Sequence, residues 1–95
     1  MNYRIEFEKR AIRQYKRLDR QARGKVANKI NTLGEDPHRY PLLSGTLAGL
    51  RKIIVPTPAG EYRIVFTLDE KMKAVDITFV GSRQNFYREL QRYLG

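Results

Sequence analysis

Tyr62-Arg63-Ile64-Val65-Phe66-Thr67 and Ala74-Val75-Asp76-Ile77-Thr78-Phe79-Val80-Gly81-Ser82-Arg83 stand on either side of the charged stretch Asp69-Glu70-Lys71-Met72-Lys73. Both runs alternate, and a polar turn between two alternating runs predicts an antiparallel hairpin in which each strand buries one face. Tyr62, Ile64, Phe66 and Leu68 then share the core side, and Arg63, Val65 and Thr67 the other. Strict alternation in the second run assigns Val75, Ile77 and Phe79 to the core and turns Asp76 and Thr78 outward. Arg63 opens the first strand, Arg83 leaves the second, and Tyr87 follows about one helical turn later. Two guanidiniums and a phenol are therefore expected to converge at one edge of a sheet.

Working outward, residues 50–55 (Leu-Arg-Lys-Ile-Ile-Val) read as a further strand, with Ile53 and Val55 in the core and Lys52 outward. Pro56 cannot continue a ladder, so the strand is expected to stop there and the loop 56–60 to lead into the strand at 62. At the N-terminus, Tyr3, Ile5 and Phe7 alternate with Arg4 and Glu6, which predicts a strand over 2–7. The period then changes. Phe7, Ala11, Tyr15 and Leu18 form a helical stripe, and Ala22, Val26, Ile30 and Leu33 form a second one, opened by Asp19 as a cap and closed at Gly34 before Asp36-Pro37. Residues 34–49 are loop-like, and Leu42-Leu43-Ser44-Gly45 is expected to tuck its leucines against the core edge. After Arg83, Phe86, Leu90 and Tyr93 return to helical spacing. The predicted fold is one α+β domain over 1–95: an N-terminal strand, a two-helix hairpin, a three-stranded antiparallel meander and a short C-terminal helix, with the helices on one face of a single sheet.

The chain carries a formal charge of +9 over 95 residues, so its partner should be a polyanion or an acidic surface. From Lys9 to Lys29 there are nine basic residues and one acid, Asp19. Lys9, Arg13, Lys16 and Arg20 run up one side of the first helix, opposite the apolar stripe. Such a face is either a solvated surface or a phosphate-backbone footprint, and the near absence of interspersed acids favours the footprint. The absence of cysteine excludes disulfides, thiol catalysis and thiolate metal sites, and a single histidine, His38, argues against a histidine metal centre. No cofactor is expected. Met1 leads directly into a polar strand-like segment, which sets the expectation of a cytoplasmic protein.

On this reading Lys52, Arg63, Asp76 and Thr78 decorate the outward sheet face and Arg83 reaches its rim. A basic face of this kind can hold a polyanion or act on one. A ribose 2′-hydroxyl attacks its own 3′-phosphate if a base takes its proton, cations stabilise the phosphorane-like transition state, and the 5′-oxygen is protonated as it leaves. Arginine donors meet the second need. A lysine such as Lys52 becomes a base only where desolvation or neighbouring cations lower its pKa, and Tyr87 can stack on a nucleobase or orient the hydroxyl. Exposed Arg and Lys on a sheet are also common without chemistry.

These stretches resemble the RelE/ParE toxin superfamily of bacterial and archaeal toxin–antitoxin systems over nearly the full length. The resemblance lies in the element order, the Tyr-Arg-Ile-Glu-Phe opening (3–7), Leu-Ser-Gly (43–45), Tyr-Arg-Ile-Val-Phe (62–66), Val-Gly-Ser-Arg (80–83) and Phe-Tyr-Arg (86–88). It implies a RelE-like, ribosome-dependent endoribonuclease that cleaves mRNA in the A site without metal. Lys52, Arg63, Arg83 and Tyr87 match the catalytic positions, and Arg13, Lys16, Arg20 and Arg51 are candidates for RNA and ribosome contact. The implied partners are a cognate antitoxin, the ribosome with its mRNA, and operator DNA through the toxin–antitoxin complex. The second basic position of the family's Lys/Arg-Ile-Lys/Arg pattern is Ile54 here, and Arg51 lies on the opposite pleat face. The alternatives within the resemblance are a ParE-like poison of DNA gyrase and a non-catalytic member that binds antitoxin and operator DNA.

Overall fold

The computed structural model describes residues 2–43 and 49–94. In chain order the elements are β1 (Arg4–Phe7), α1 (Lys9–Arg17), α2 (Arg20–Leu33), a 3-10 turn (Pro37–Arg39), β2 (Arg51–Thr57), β3 (Gly60–Asp69), β4 (Ala74–Ser82) and α3 (Arg83–Leu94). The four strands form one sheet in the order β1-β4-β3-β2. The helical hairpin carries the chain from β1 at one edge to β2 at the other. The meander then returns, so that β4 lies antiparallel to β3 and parallel to β1. This is the α+β architecture expected from the alternating and helical stretches.

The hairpin forms where its periodicity placed it. Asp19 caps α2, its Oδ1 accepting the Ala22 N–H at 2.8 Å. Ala11, Val26 and Leu33 are fully buried and pack, with Tyr15, Leu18 and Ile30, against Ile53, Val55, Ile64, Phe66, Val75, Ile77 and Val80 of the sheet. Each large apolar side chain buried this way contributes roughly 1.5–3 kcal/mol relative to exposure. The terminating Gly34 has an ordinary right-handed conformation, φ −67° and ψ −17°. What demands glycine is proximity: the Tyr3 N–H donates to the Gly34 carbonyl at 2.8 Å, and a Cβ on Gly34 would stand 2.5 Å from the Tyr3 carbonyl oxygen.

Two strand features depart from expectation. β2 runs through Pro56 to Thr57, with Pro56 opposite Glu61 and Thr57 opposite Gly60. β2 is an edge strand, and an edge tolerates a residue that lacks an N–H. The second departure lies between β3 and β4. Val65 pairs with Phe79 and Phe66 with Ile77, so Thr78 is an extra residue and the register shifts. The Thr78 hydroxyl donates to the Val65 carbonyl at 3.2 Å. Beyond this bulge the parity of β4 inverts. Phe79 therefore leaves the main core, where strict alternation put it, and joins Val65 and Phe86 in a second apolar cluster that also takes in Leu43, Leu50 and Leu90. Val80 takes the core side instead. α1 and α2 cover the main core, and α3 brings Phe86 onto this second cluster.

β1 pairs with β4 only as far as Ile77. The edge of β4 beyond that point is served by α1, whose Gln14 side chain accepts the Val80 N–H at 2.9 Å. Leu43 packs on the second cluster as expected, whereas Leu42 is 56% exposed. Ser44 and Gly45 lie outside the described residues, and so does the side chain of Tyr93. Among the described residues no helix is long and apolar enough to cross a membrane. Because the neighbour of Gly34 is backbone, Gly34→Ala is expected to destabilise the fold by about 1–3 kcal/mol, read as a lower midpoint in urea unfolding. An unchanged midpoint would show that the contact relaxes freely.

Candidate functional site

The strand-to-helix junction at the end of β4 places two of the site residues. The Ser82 hydroxyl accepts the Asn85 N–H at 3.1 Å, capping α3 as the strand ends. Arg83 is thereby fixed as the first residue of α3. Tyr87 lies four residues later, on the same side of the helix. The Arg83 guanidinium carbon sits 5.6 Å from the centre of the Tyr87 ring.

Arg63 comes from the neighbouring strand, opposite Gly81. Expected on an open face, it is instead only 6% exposed. Its guanidinium carbon stands 5.4 Å from the Phe86 ring centre and 5.4 Å from that of Tyr87. Cation–π contacts of this kind are worth about 0.5–2 kcal/mol each. They leave the hydrogen-bonding capacity of the group largely unmet. The Arg63 Nε is buried without a partner, and the nearest carboxylate, Glu61 Oε1, lies 3.6 Å from Nη2. The guanidinium is thus a desolvated cation with unused donors, a receptor for a phosphate or carboxylate oxygen.

The same two cations act on Tyr87. A hydrogen bond with Arg83, then the charges of Arg63 and Arg83, lower the phenol pKa from its usual value of 10.0. Tyr87 is 45% exposed, so the phenol is open to a ligand. Ile54 lies on β2 directly opposite Arg63 and is partly exposed, an apolar neighbour at the position where the Lys/Arg-Ile-Lys/Arg pattern has its second basic residue. Lys52 pairs with Val65 on the same face. It is a diagonal neighbour of Arg63, with a typical separation of about 7–8 Å. Gly81 completes the floor, because a Cβ there would meet the Phe79 ring at 3.0 Å.

The structure thus stacks Arg63, Arg83 and Tyr87 together and sets Lys52 one step along the same face. Phe86, Phe79 and Gly81 are site residues that periodicity did not single out. Only the bulge gives Phe79 its place there, although Gly81 inside an alternating run was a readable signal of close approach. Arg13, Lys16 and Arg20 are exposed on the helical hairpin, and none has a carboxylate within ion-pair distance among the described residues. Arg51 is used differently. Its Nη1 donates to the carbonyls of Tyr40 at 2.7 Å and His38 at 3.3 Å, bracing the loop that precedes β2.

His38 belongs to a separate cluster. Its Nε2 lies 2.7 Å from Glu70 Oε1, and the Tyr3 hydroxyl donates to Glu70 Oε2 at 2.8 Å. That hydrogen bond, with His38 and Lys73 nearby, lowers the Glu70 pKa. Glu70 follows β3 seven residues after Arg63, about 23 Å along an extended chain. This cluster ties β1, the 3-10 turn and the β3–β4 turn together at the far end from the arginine stack.

A family model described as a ParE-like toxin of type II bacterial toxin–antitoxin systems matches residues 5–91. A comparison with curated protein sequences finds no match. Among solved structures, a mutant of the Escherichia coli toxin RelE in the free state superposes with a TM-score of 0.74 at 20% identity, covering 97% of this chain and 98% of that one. A chain of the Mycobacterium tuberculosis toxin–antitoxin complex RelBE2 gives 0.72 at 25% identity, covering 87% and 100%. The archaeal RelE–RelB complex from Pyrococcus horikoshii gives 0.63 at 20% identity, covering 87% and 97%.

A buried cation with an unmet donor costs stability that an apolar side chain does not. Arg63→Met is therefore expected to raise stability by about 1 kcal/mol while removing anion binding. Thermal unfolding without added anion measures this, and a lowered Tm would mean that the ring contacts outweigh the unmet donor.

Proposed function

The chain belongs to the ParE-like toxins of type II bacterial toxin–antitoxin systems, and from that premise we propose that it is a ribosome-dependent endoribonuclease that cleaves mRNA in the A site by 2′-hydroxyl transesterification. The stack of Arg63, Tyr87 and Arg83 carries this reading. The buried Arg63 guanidinium and the exposed Arg83 hold the scissile phosphate and offset the charge that builds on its oxygens. The ribose 2′-oxygen attacks phosphorus, its proton passes to the Tyr87 phenolate, and the bond from phosphorus to the 5′-oxygen breaks. The products are a 2′,3′-cyclic phosphate and a 5′-hydroxyl. Lys52, on the same face, is the proton donor for the departing 5′-oxygen. The lowered pKa of Tyr87 supports assigning the base to this phenol, where the sequence alone left Lys52 as a candidate.

The exposed cations Arg13, Lys16 and Arg20 supply the contact with ribosomal RNA. The solved complexes among the relatives pair their toxins with antitoxins, and a cognate antitoxin is the protein partner proposed for this chain. Operator DNA would be met through that complex. A second reading, poisoning of DNA gyrase, draws on Ile54, which puts an apolar side chain opposite Arg63 where a second base would favour RNA chemistry.

In vitro translation of a defined mRNA with the purified chain, with 5′ ends mapped by primer extension, separates the two. A cut within the A-site codon that slows by about 100-fold or more in Arg83→Ala, with fold and antitoxin affinity retained, is the expected result. Normal translation together with trapped gyrase–DNA complexes would establish the second reading instead.

The pH dependence tests the base. The reactive form is the phenolate, so the rate should rise with pH and level off below the ordinary tyrosine value of about 10. Tyr87→Phe should lower the rate and abolish that rise. A Tyr87→Phe profile that keeps the same inflection would assign the base elsewhere.

A further inference from the structure

Behind the arginine stack, on the other side of the β4–α3 junction, lies a groove of about 520 Å³. Its walls are the end of α1 and the α1–α2 corner (Gln14, Arg17, Asp19) and one side of α3 (Asn85, Arg88, Arg92). Its floor is the end of β4, where β1 no longer covers the strand. The polar groups there fall into two sets. Both acids are already engaged. Asp19 caps α2 through Oδ1, and Glu89 lies 3.0 Å from Arg10 and 3.7 Å from Arg92. Arg17 and Arg88 have no carboxylate within ion-pair distance among the described residues. The first turn of α3 also borders the groove through Asn85 and adds its positive helix end. Two free guanidiniums in a cavity of this size form a receptor for an anion.

The groove adjoins the candidate active site across the β4–α3 junction. Gly81 and Ser82 line it, Gly81 pairs with Arg63, and Arg83 is the next residue. The half-buried ring of Tyr62 also lines it, a surface on which a base can stack. A strand held by Arg63 and Arg83 need only cross the start of α3 to enter the groove.

Resting on the nuclease reading, we propose that this groove binds the single-stranded RNA backbone flanking the scissile phosphate, with Arg17 and Arg88 on flanking phosphates. The groove then adds affinity and register, and the chemistry stays at the arginine stack.

The test uses the full chain and a fluorescein-labelled single-stranded RNA, with binding followed by anisotropy across a range of KCl concentrations. The double variant Arg17→Ala/Arg88→Ala should bind more weakly, and the slope of log affinity against log salt should shrink by about 1.4, or 0.7 for each lost phosphate contact. Arg17→Lys/Arg88→Lys, which keeps the charges, should retain most of the slope. The alanine variant should need more protein for half-maximal cleavage on ribosomes, and the lysine variant should not. An unchanged salt slope in the alanine variant overturns the proposal. So does unchanged RNA binding with loss of affinity for a glutamate-rich peptide, which would make the groove a protein-docking site. If the parent chain cuts no mRNA but the alanine variant still shows the reduced slope, the nuclease reading fails and the groove stands.

Discussion

The Arg63 guanidinium sits almost wholly out of water against the rings of Phe86 and Tyr87, with its Nε unpaired. Much of the local structure exists to hold it there. β3 supplies the residue, and Gly81 opposite it leaves room for the Phe79 ring. The Ser82 cap starts α3 at the point that brings both rings over the guanidinium. A free protein does not benefit from a desolvated cation with spare donors, because its solvation is lost without full replacement. A bound anion would replace that lost solvation, and this is what makes the arginine stack the candidate site.

The bulge at Thr78 is the second constraint. Without the extra residue, Phe79 would point into the main core and the face carrying Arg63 would lack the ring that lies over Gly81. With it, the sheet has two distinct sides. One is a conventional core of Leu33, Ile53, Ile64, Phe66, Val75 and Ile77 under the helical hairpin. The other is a small cluster of Val65, Phe79 and Phe86 that supports the arginine stack. The main core can thus tolerate conservative repacking while the site is held by a few side chains at one end of β4. This separation accounts for a shared fold with relatives at 20–25% identity.

The sheet edges are managed locally. β2 carries Pro56 at its open edge, and α1 covers the end of β4 that β1 leaves free, with Gln14 taking the Val80 N–H. At the opposite end of the molecule Tyr3, His38 and Glu70 fasten three segments that are distant in sequence. The pull of the cluster lies in geometry, since its members are exposed and each pair alone is worth little. It holds the 3-10 turn in place, and Arg51 adds hydrogen bonds to the carbonyls of His38 and Tyr40.

Much of this was legible in the chain itself. Periods of two and of about 3.6 residues located the strands and the α-helices, Asp19 announced its cap, and the arginines at 63 and 83 with Tyr87 were expected to converge, as they do. Those signals are local, and local patterns survive in a linear reading because they depend on neighbours within a few residues. The bulge, the continuation of β2 through Pro56 and the burial of Arg63 are not local. Each depends on what a second strand or helix brings alongside. A single inserted residue inverts which side chains face which side, and folding brings the Arg63 charge to Tyr87, far along the chain. The amino-acid order determined which elements form and which residues were candidates for a site. Their packing alone decided which of those residues touch, because desolvation and Coulomb energy depend on distance in space.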